Sequence, residues 1–304
     1  MSSTPGIEAT NSKPHIKAVL QALLVTFLWS TSWVLIKMGL QAKLPAVTFA
    51  GLRYFTAFMC LVPLVLINPA HRSAIRNMPR TTWGLLISLG LVFYTLTQGA
   101  QFVSLAYLPA ATLTLLLNFS VVVVALLSGF VNKESPSMLQ WGGVLLSVAG
   151  AVVYFLPLNI PAGQTFGLAV ALVGVLANAG GALLGRQVNQ HSGLPPIVIT
   201  TISMGIGGTI LLIGGATMQG FGELDAKQWL IIGWLAVVNT AFAFTLWNKT
   251  LQTLTAFEAS ILNNTMLPQI AILAWLFLDE PLSWKQVIGI ALVGVGTLVV
   301  QARR

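Results

Sequence analysis

Ten apolar runs follow one another along this chain, and only short polar, charged or proline-containing breaks separate them. They lie near residues 17–37, 46–67, 82–104, 109–131, 137–156, 165–186, 196–218, 227–249, 257–278 and 283–301. Crossing about 30 Å of hydrocarbon as a helix takes roughly 20 apolar residues, the length of these runs. Barrel strands would instead alternate in segments of about ten residues, whereas Val121–Leu127 and Ile288–Val295 are apolar on every face. The chain therefore reads as an all-α membrane protein with ten transmembrane helices, short loops and no extramembrane domain.

Composition agrees. Charged residues are 7% of 304 and hydrophobic ones 56%, against about a quarter charged in an ordinary soluble domain. A soluble shell cannot be built from that, and disorder needs the opposite balance. The net charge of +8 comes from 15 Lys and Arg scattered singly or in short groups. They form no basic face to follow phosphates, so no nucleic-acid partner is expected. The single cysteine, Cys60, excludes an intramolecular disulfide and a Cys-based zinc site. Neither a Walker A loop nor an HExxH motif is present, so no cofactor and no metal are expected, and a monomer is.

Residues 1–16 form a polar tail without an h-region, and the first run is too long for a signal peptide and lacks a small-residue cleavage pattern. With a cytoplasmic N-terminus, Lys13, Lys17, Arg72, Arg76, Arg80, Lys133, Arg186, Lys249, Arg303 and Arg304 fall inside. Lys37, Lys43, Lys227 and Lys285 fall outside, and Arg53 lies within the second run. The split of 10 against 4 places both termini in the cytoplasm of a cell whose inner membrane holds the chain.

The chain is written twice. A shift of 146 residues carries Asn118 to Asn264, Glu134 to Glu280, Ser137 to Ser283, Gln140 to Gln286, Gly143 to Gly289 and Gly150 to Gly296. With a slightly different shift, Lys37 falls on Arg186. Residues 17–156 and 157–304 thus read as two repeats of five helices. Five is odd, so the second must enter the membrane from the opposite side. Two inverted five-helix repeats are an architecture of alternating-access transporters, whose substrate site lies near the midplane between the halves.

Three segments carry a resemblance to a known family: Leu28-Trp-Ser-Thr-Ser-Trp33 with Ile36-Lys37, then Leu52-Arg53-Tyr54-Phe55, then Leu246-Trp-Asn-Lys-Thr-Leu251 with Pro268 and Phe277-Leu-Asp-Glu-Pro-Leu-Ser-Trp284. The chain resembles EamA-type transporters of the drug/metabolite transporter superfamily over nearly its whole length. Trp29 to Thr31, with Tyr94, are similar to YddG-like amino-acid exporters, a resemblance that implies amino-acid export. The first repeat departs from the pattern at Lys133-Glu-Ser-Pro-Ser-Met138, where only Glu134 and Ser137 carry over.

Polar side chains within hydrocarbon are costly and usually face the protein interior or a wet cavity. Thr114 with Asn118, and Ser260 with Asn264, are i,i+4 pairs that each share a helical face. Interhelical hydrogen bonding is the ordinary use of such groups, but repeat-related Asn118 and Asn264 point at a shared axis. Pro268 would clash with the carbonyl of Asn264, freeing it in a wet cavity or merely kinking the helix. Trp29, Tyr94, Gln98 and Asn178 are further candidates for substrate contact, as aromatic and amide groups suit an organic solute. Trp33 and Trp247 read as members of the interfacial belt. Arg53 either snorkels to the surface or meets an anionic group entering from outside, and it joins Pro268 and Glu258 as a conformational or gating candidate.

No Asp or Glu lies near the centre of a run, and His15, His71 and His191 read as loop residues. Glu258, at the start of the ninth run, is the one carboxylate near Asn264; its ordinary role is a helix N-terminal charge. Proton-driven carriers generally relay through buried acids or His, so transport without a strict need for a proton gradient is expected. A membrane enzyme would need a catalytic cluster that is not visible. The chain is expected to export small neutral or zwitterionic solutes, amino acids including aromatic ones. Export of other metabolites or cationic drugs, or a channel, is the alternative.

Overall fold

A computed structural model describes residues 12–132, 137–156, 161–250, 253–254 and 262–301. Over these the chain is helical, because hydrocarbon offers no water to backbone N–H and C=O groups and a helix satisfies them internally. The long helices are α1 (Ser12–Gln41), α2 (Ala46–Ile67), α6 (Ala110–Asn132), α7 (Met138–Phe155), α8 (Thr165–His191), α9 (Pro196–Gln219) and α13 (Trp284–Gln301). Short α3 (Pro69–Arg76) buries no residue and is capped by the Asn68 side chain accepting from Ala70 N. Two composite helices complete the set. One joins α4 (Arg80–Leu89), a π segment (Gly90–Thr97) and α5 (Gln98–Tyr107); the other joins α10 (Ala226–Ala236), a π segment (Val237–Phe242) and α11 (Ala243–Thr250).

Seven helical stretches among the described residues are long and apolar enough to cross a membrane, and two apolar ones, Ala110–Val124 and Trp284–Val300, are shorter. The ninth apolar run is described only from residue 262: Leu262–Asn264 are helical, Thr265 turns, and α12 (Met266–Phe277) follows. Glu258 lies outside the described residues. His15 and His71 fall within α1 and α3, and His191 ends α8, not in loops.

Glycines set the two closest helix crossings. On the α2–α9 pair, a Cβ added to Gly51 would lie 2.4 Å from Leu212 backbone, one on Gly208 2.9 Å from Phe55 N, and one on Gly215 2.4 Å from Thr48 N. Partners descend along α9 as residues ascend along α2, so the helices are antiparallel. Between α7 and α13, Gly143 meets Gly296 O at 2.7 Å and Gly150 meets Gly289 O at 2.9 Å by the same measure. The 146-residue shift turns the first of these contacts into the second. Reciprocal contact of this kind is the signature of a two-fold relation. Small residues permit it because, in lipid, backbone proximity and dispersion hold helices together.

The two π segments also correspond, since the same shift carries Gly90–Thr97 onto 236–243. Threonine hydroxyls donate to carbonyls five residues earlier: Thr97 Oγ1 to Val92 O at 3.0 Å and Thr240 Oγ1 to Leu235 O at 2.8 Å. Such segments interrupt α-helices mainly at functional places.

Candidate functional site

Arg53 does not snorkel. Seven consecutive residues, Thr48–Tyr54, are buried on α2: α9 packs on the face that carries Thr48, Gly51 and Phe55, and the second π segment meets the face that carries Arg53. Arg53 is 4% exposed. Its Nε donates to Thr240 Oγ1 at 3.0 Å, across the boundary between the two halves, and its Cζ lies 5.2 Å from the Tyr54 ring centroid. Tyr54 OH donates to Gln98 Oε1 at 2.6 Å. The Tyr54 and Tyr94 rings meet edge-on at 5.8 Å, and Tyr94 meets Phe93 at 5.2 Å. Arg53, Tyr94 and Gln98 are thereby brought together, with Tyr54 as the hub.

Trp29 belongs to an adjoining group. Its ring centroid lies 5.2 Å from both Phe244 and Trp247. Trp247 is partly buried against Trp29, and Trp33, 6% exposed, sits in the main apolar core, not among exposed aromatics that a belt would need. Asn239, fully buried on the second π segment, donates from Nδ2 to Leu28 O and to Thr31 Oγ1 at 3.2 Å. Asn239 Oδ1 and Trp29 Nε1 are buried with no hydrogen-bond partner among the described residues, a situation that costs about 1–3 kcal/mol per group. Ser30 Oγ donates to Gln269 Oε1 at 2.9 Å, and Gln269 Nε2 to Thr265 Oγ1 at 3.0 Å, tying α1 to α12.

The asparagines sit on α6, on α8 and just ahead of the Thr265 that closes the Ser30–Gln269 link. Asn118 donates from Nδ2 to Thr114 O of its own helix at 3.0 Å, and Asn178 to Ser120 Oγ on α6 at 2.9 Å. Asn264 is half-buried ahead of the Thr265 turn. Pro268 is exposed in the first turn of α12. Leu262–Asn264 are helical just ahead of it and Thr265 keeps helical dihedrals, so the residue with no N–H for the Asn264 carbonyl stands where that helix is interrupted.

A cavity of about 360 Å³ opens between Leu61 of α2, Pro196 and Thr200 of α9, and Phe244, Thr245 and Lys249 of α11. Its size suits a small organic ligand. Phe244 joins this cavity to the Trp29 group.

The opposite end of the bundle is tied shut. Lys37 Nζ donates to Leu105 O and Leu108 O, both at 2.7 Å, at the C-terminus of α5. Ala110 N, opening α6, donates to Glu280 Oε2 at 2.8 Å and Oε1 at 3.1 Å. Burial raises the Glu280 carboxyl above its ordinary pKa, against the pull of the Ala110 N–H and the Lys37 ammonium. Tyr54, Thr240 and this clamp escaped sequence reasoning. The available signals were the place of Tyr54 beside the one in-span arginine, and the repetition of Glu280 at Glu134.

Comparison with known proteins is consistent along the chain. The EamA-like transporter family matches residues 16–156 and again 165–301. The uncharacterized transporter YvbV of Bacillus subtilis is 26% identical over 95% of this chain and 93% of its own. A probable amino-acid metabolite efflux pump of Escherichia coli is 25% identical over 91% and 92%. An S-adenosylmethionine/S-adenosylhomocysteine transporter of Chlamydia trachomatis is 24% identical over 86% and 82%. One solved crystal structure superposes with a TM-score of 0.66 at 18% identity, covering 93% of this chain and 97% of that one, and so shares the fold. With two family matches covering almost all of its helices, the chain belongs to the EamA-like transporter family and is a multi-pass protein of the inner membrane.

Proposed function

We propose that this chain is an alternating-access exporter of small neutral or zwitterionic organic solutes, amino acids foremost among them. The observation that carries this reading is the polar and aromatic boundary between the two stretches that the family model matches. Arg53–Thr240 and Asn239–Leu28 bond across it, and Trp29 and Tyr94 flank it. Ten spans, two inverted repeats over 17–156 and 157–304 and two cytoplasmic termini complete the proposal. Trp29, Tyr94, Gln98, Asn118, Asn178 and Asn264 are its substrate-lining residues. The Trp29 ring and the unpartnered Asn239 Oδ1 support an aromatic solute carrying a donor. The efflux-pump name of one relative supports amino-acid metabolites, and the name of another extends the range to larger amino-acid derivatives.

The protein works as a monomer, and the solute moves down its own gradient without a strict need for a proton gradient. Among the described residues no carboxylate lies midway along a spanning helix. Purified protein in liposomes, loaded with a panel of radiolabelled amino acids and assayed by counterflow at equal pH, tests the transport reading and its independence of a proton gradient, with Glu258→Gln beside the parent. Robust exchange in both proteins is expected. No exchange of any panel member would end the transport reading, and exchange that needs a pH gradient or Glu258 would end uniport.

A further inference from the structure

A guanidinium stays charged at any pH a protein survives, and a buried charge persists only where something compensates it. Arg53 is buried between the halves, yet among the described residues its compensation is one neutral hydroxyl, Thr240 Oγ1, and the Tyr54 ring. Among the described residues no carboxylate bonds to it. With Nε engaged by Thr240, the two terminal nitrogens remain as a planar fork, the geometry that grips a carboxylate through two parallel bonds.

The surroundings carry the same sign. Arg53 stands eight residues from Leu61 on α2, about 12 Å at the helical rise, and Thr240 stands one turn from Phe244. Leu61 and Phe244 both line the 360 Å³ cavity, whose charged lining residue is Lys249. Lys249 in the cavity wall and Arg53 further along α2 carry charge of one sign, and their summed field favours anionic groups over cations on this side of the bundle.

We propose that Arg53 binds the carboxylate of the transported solute, with Thr240 aligning the guanidinium, so that carriage requires a carboxylate and simple amines are rejected. This rests on the transport reading above. The test uses the full chain in liposomes, with counterflow inhibited by phenylalanine, phenylalaninamide and phenethylamine, or by the same trio built on whichever amino acid the panel ranks first. The parent is expected to be inhibited by the amino acid at concentrations at least tenfold lower than by its amide or amine. Arg53→Gln should bring the three within about threefold of one another, and Arg53→Lys, which keeps the charge without the fork, should fall between. Thr240→Val should weaken the preference severalfold, and it serves in its own right if Arg53→Gln does not purify as a folded protein. A parent that moves the amine or amide as readily as the acid overturns the proposal while leaving transport intact. So does an unchanged preference in folded Arg53→Gln, or in Thr240→Val where that variant stands in its place. A parent that moves none of the panel fails at the earlier step.

Discussion

Removing the Glu280 carboxylate should loosen the clamped end of the bundle by about an order of magnitude. Both carboxylate oxygens face one donor, Ala110 N, at 2.8 and 3.1 Å, and a hydrogen bond to a charged group is worth about 1.5–3 kcal/mol. Partial exposure argues for the lower figure. About 1.4 kcal/mol is a tenfold change in an equilibrium, so Glu280→Ala should raise the open population about tenfold. Glu280→Gln keeps an acceptor for Ala110 N without the charge that burial penalises, and so should open no more than the parent. Leu108→Cys in a Cys60→Ser background reports the opening, since position 108 is fully buried and reacts with a thiol reagent only when the end opens. The pH dependence has a definite sign. Burial raises the Glu280 pKa in the clamped form, so that form binds the proton more tightly than an open, hydrated one. Acidification from the raised value down to the ordinary carboxylate value of 4.5 should therefore favour clamping. The parent's labelling rate, divided by that of Glu280→Gln to cancel thiol chemistry, should fall across that window. A Glu280→Ala rate within twofold of the parent, or a ratio flat with pH, would refute the assignment.

Two further outcomes follow from the packing and the topology. Gly296→Ala places a methyl 2.4 Å from Ser147 Oγ and 2.7 Å from Gly143 O, so in detergent it should melt below the parent, an overpacking loss of about 1–3 kcal/mol. Gly142→Ala meets nothing within 4 Å and should melt at or above the parent; equal melting of the two variants would contradict the α7–α13 crossing. Arg76→Cys in the Cys60→Ser background should resist membrane-impermeant reagents in intact cells, and labelling from outside would reverse the proposed orientation.

Hydrophobic runs were legible because a helix in lipid needs only length and apolarity, and the repeat because Asn, Glu, Ser and Gln recur in one register. What escaped depended on neighbours. Arg53 reads as a snorkelling residue until Thr240 of the second π segment engages its Nε, a contact distant in sequence. Trp247 lies near a span end by counting, yet Trp29 claims its ring. Pro268 was legible as an interruption at Asn264, but the Thr265 turn itself has no strong local signal. Neither π segment was foreseen, because one surplus residue barely alters the period of an all-apolar stretch.

That surplus residue has its own consequence. Each third helix of a repeat is a splice of two α-helical pieces with different phases about a common axis. Ahead of the first splice, Leu86 and Leu89 pack with Val188 and Ile199; after it, Phe102 and Leu105 join the main core. Deleting one residue between Leu91 and Phe93 would heal the helix into a continuous α form with both faces in place, whereas the same deletion elsewhere in the helix would turn everything downstream by about 100° relative to everything upstream. One of the two packing faces would then point away from its partners. Single-residue indels, tolerated in many helices near their ends, should here be confined to the splice itself, and an insertion elsewhere in the same helix should be rescued by a deletion within Gly90–Thr97.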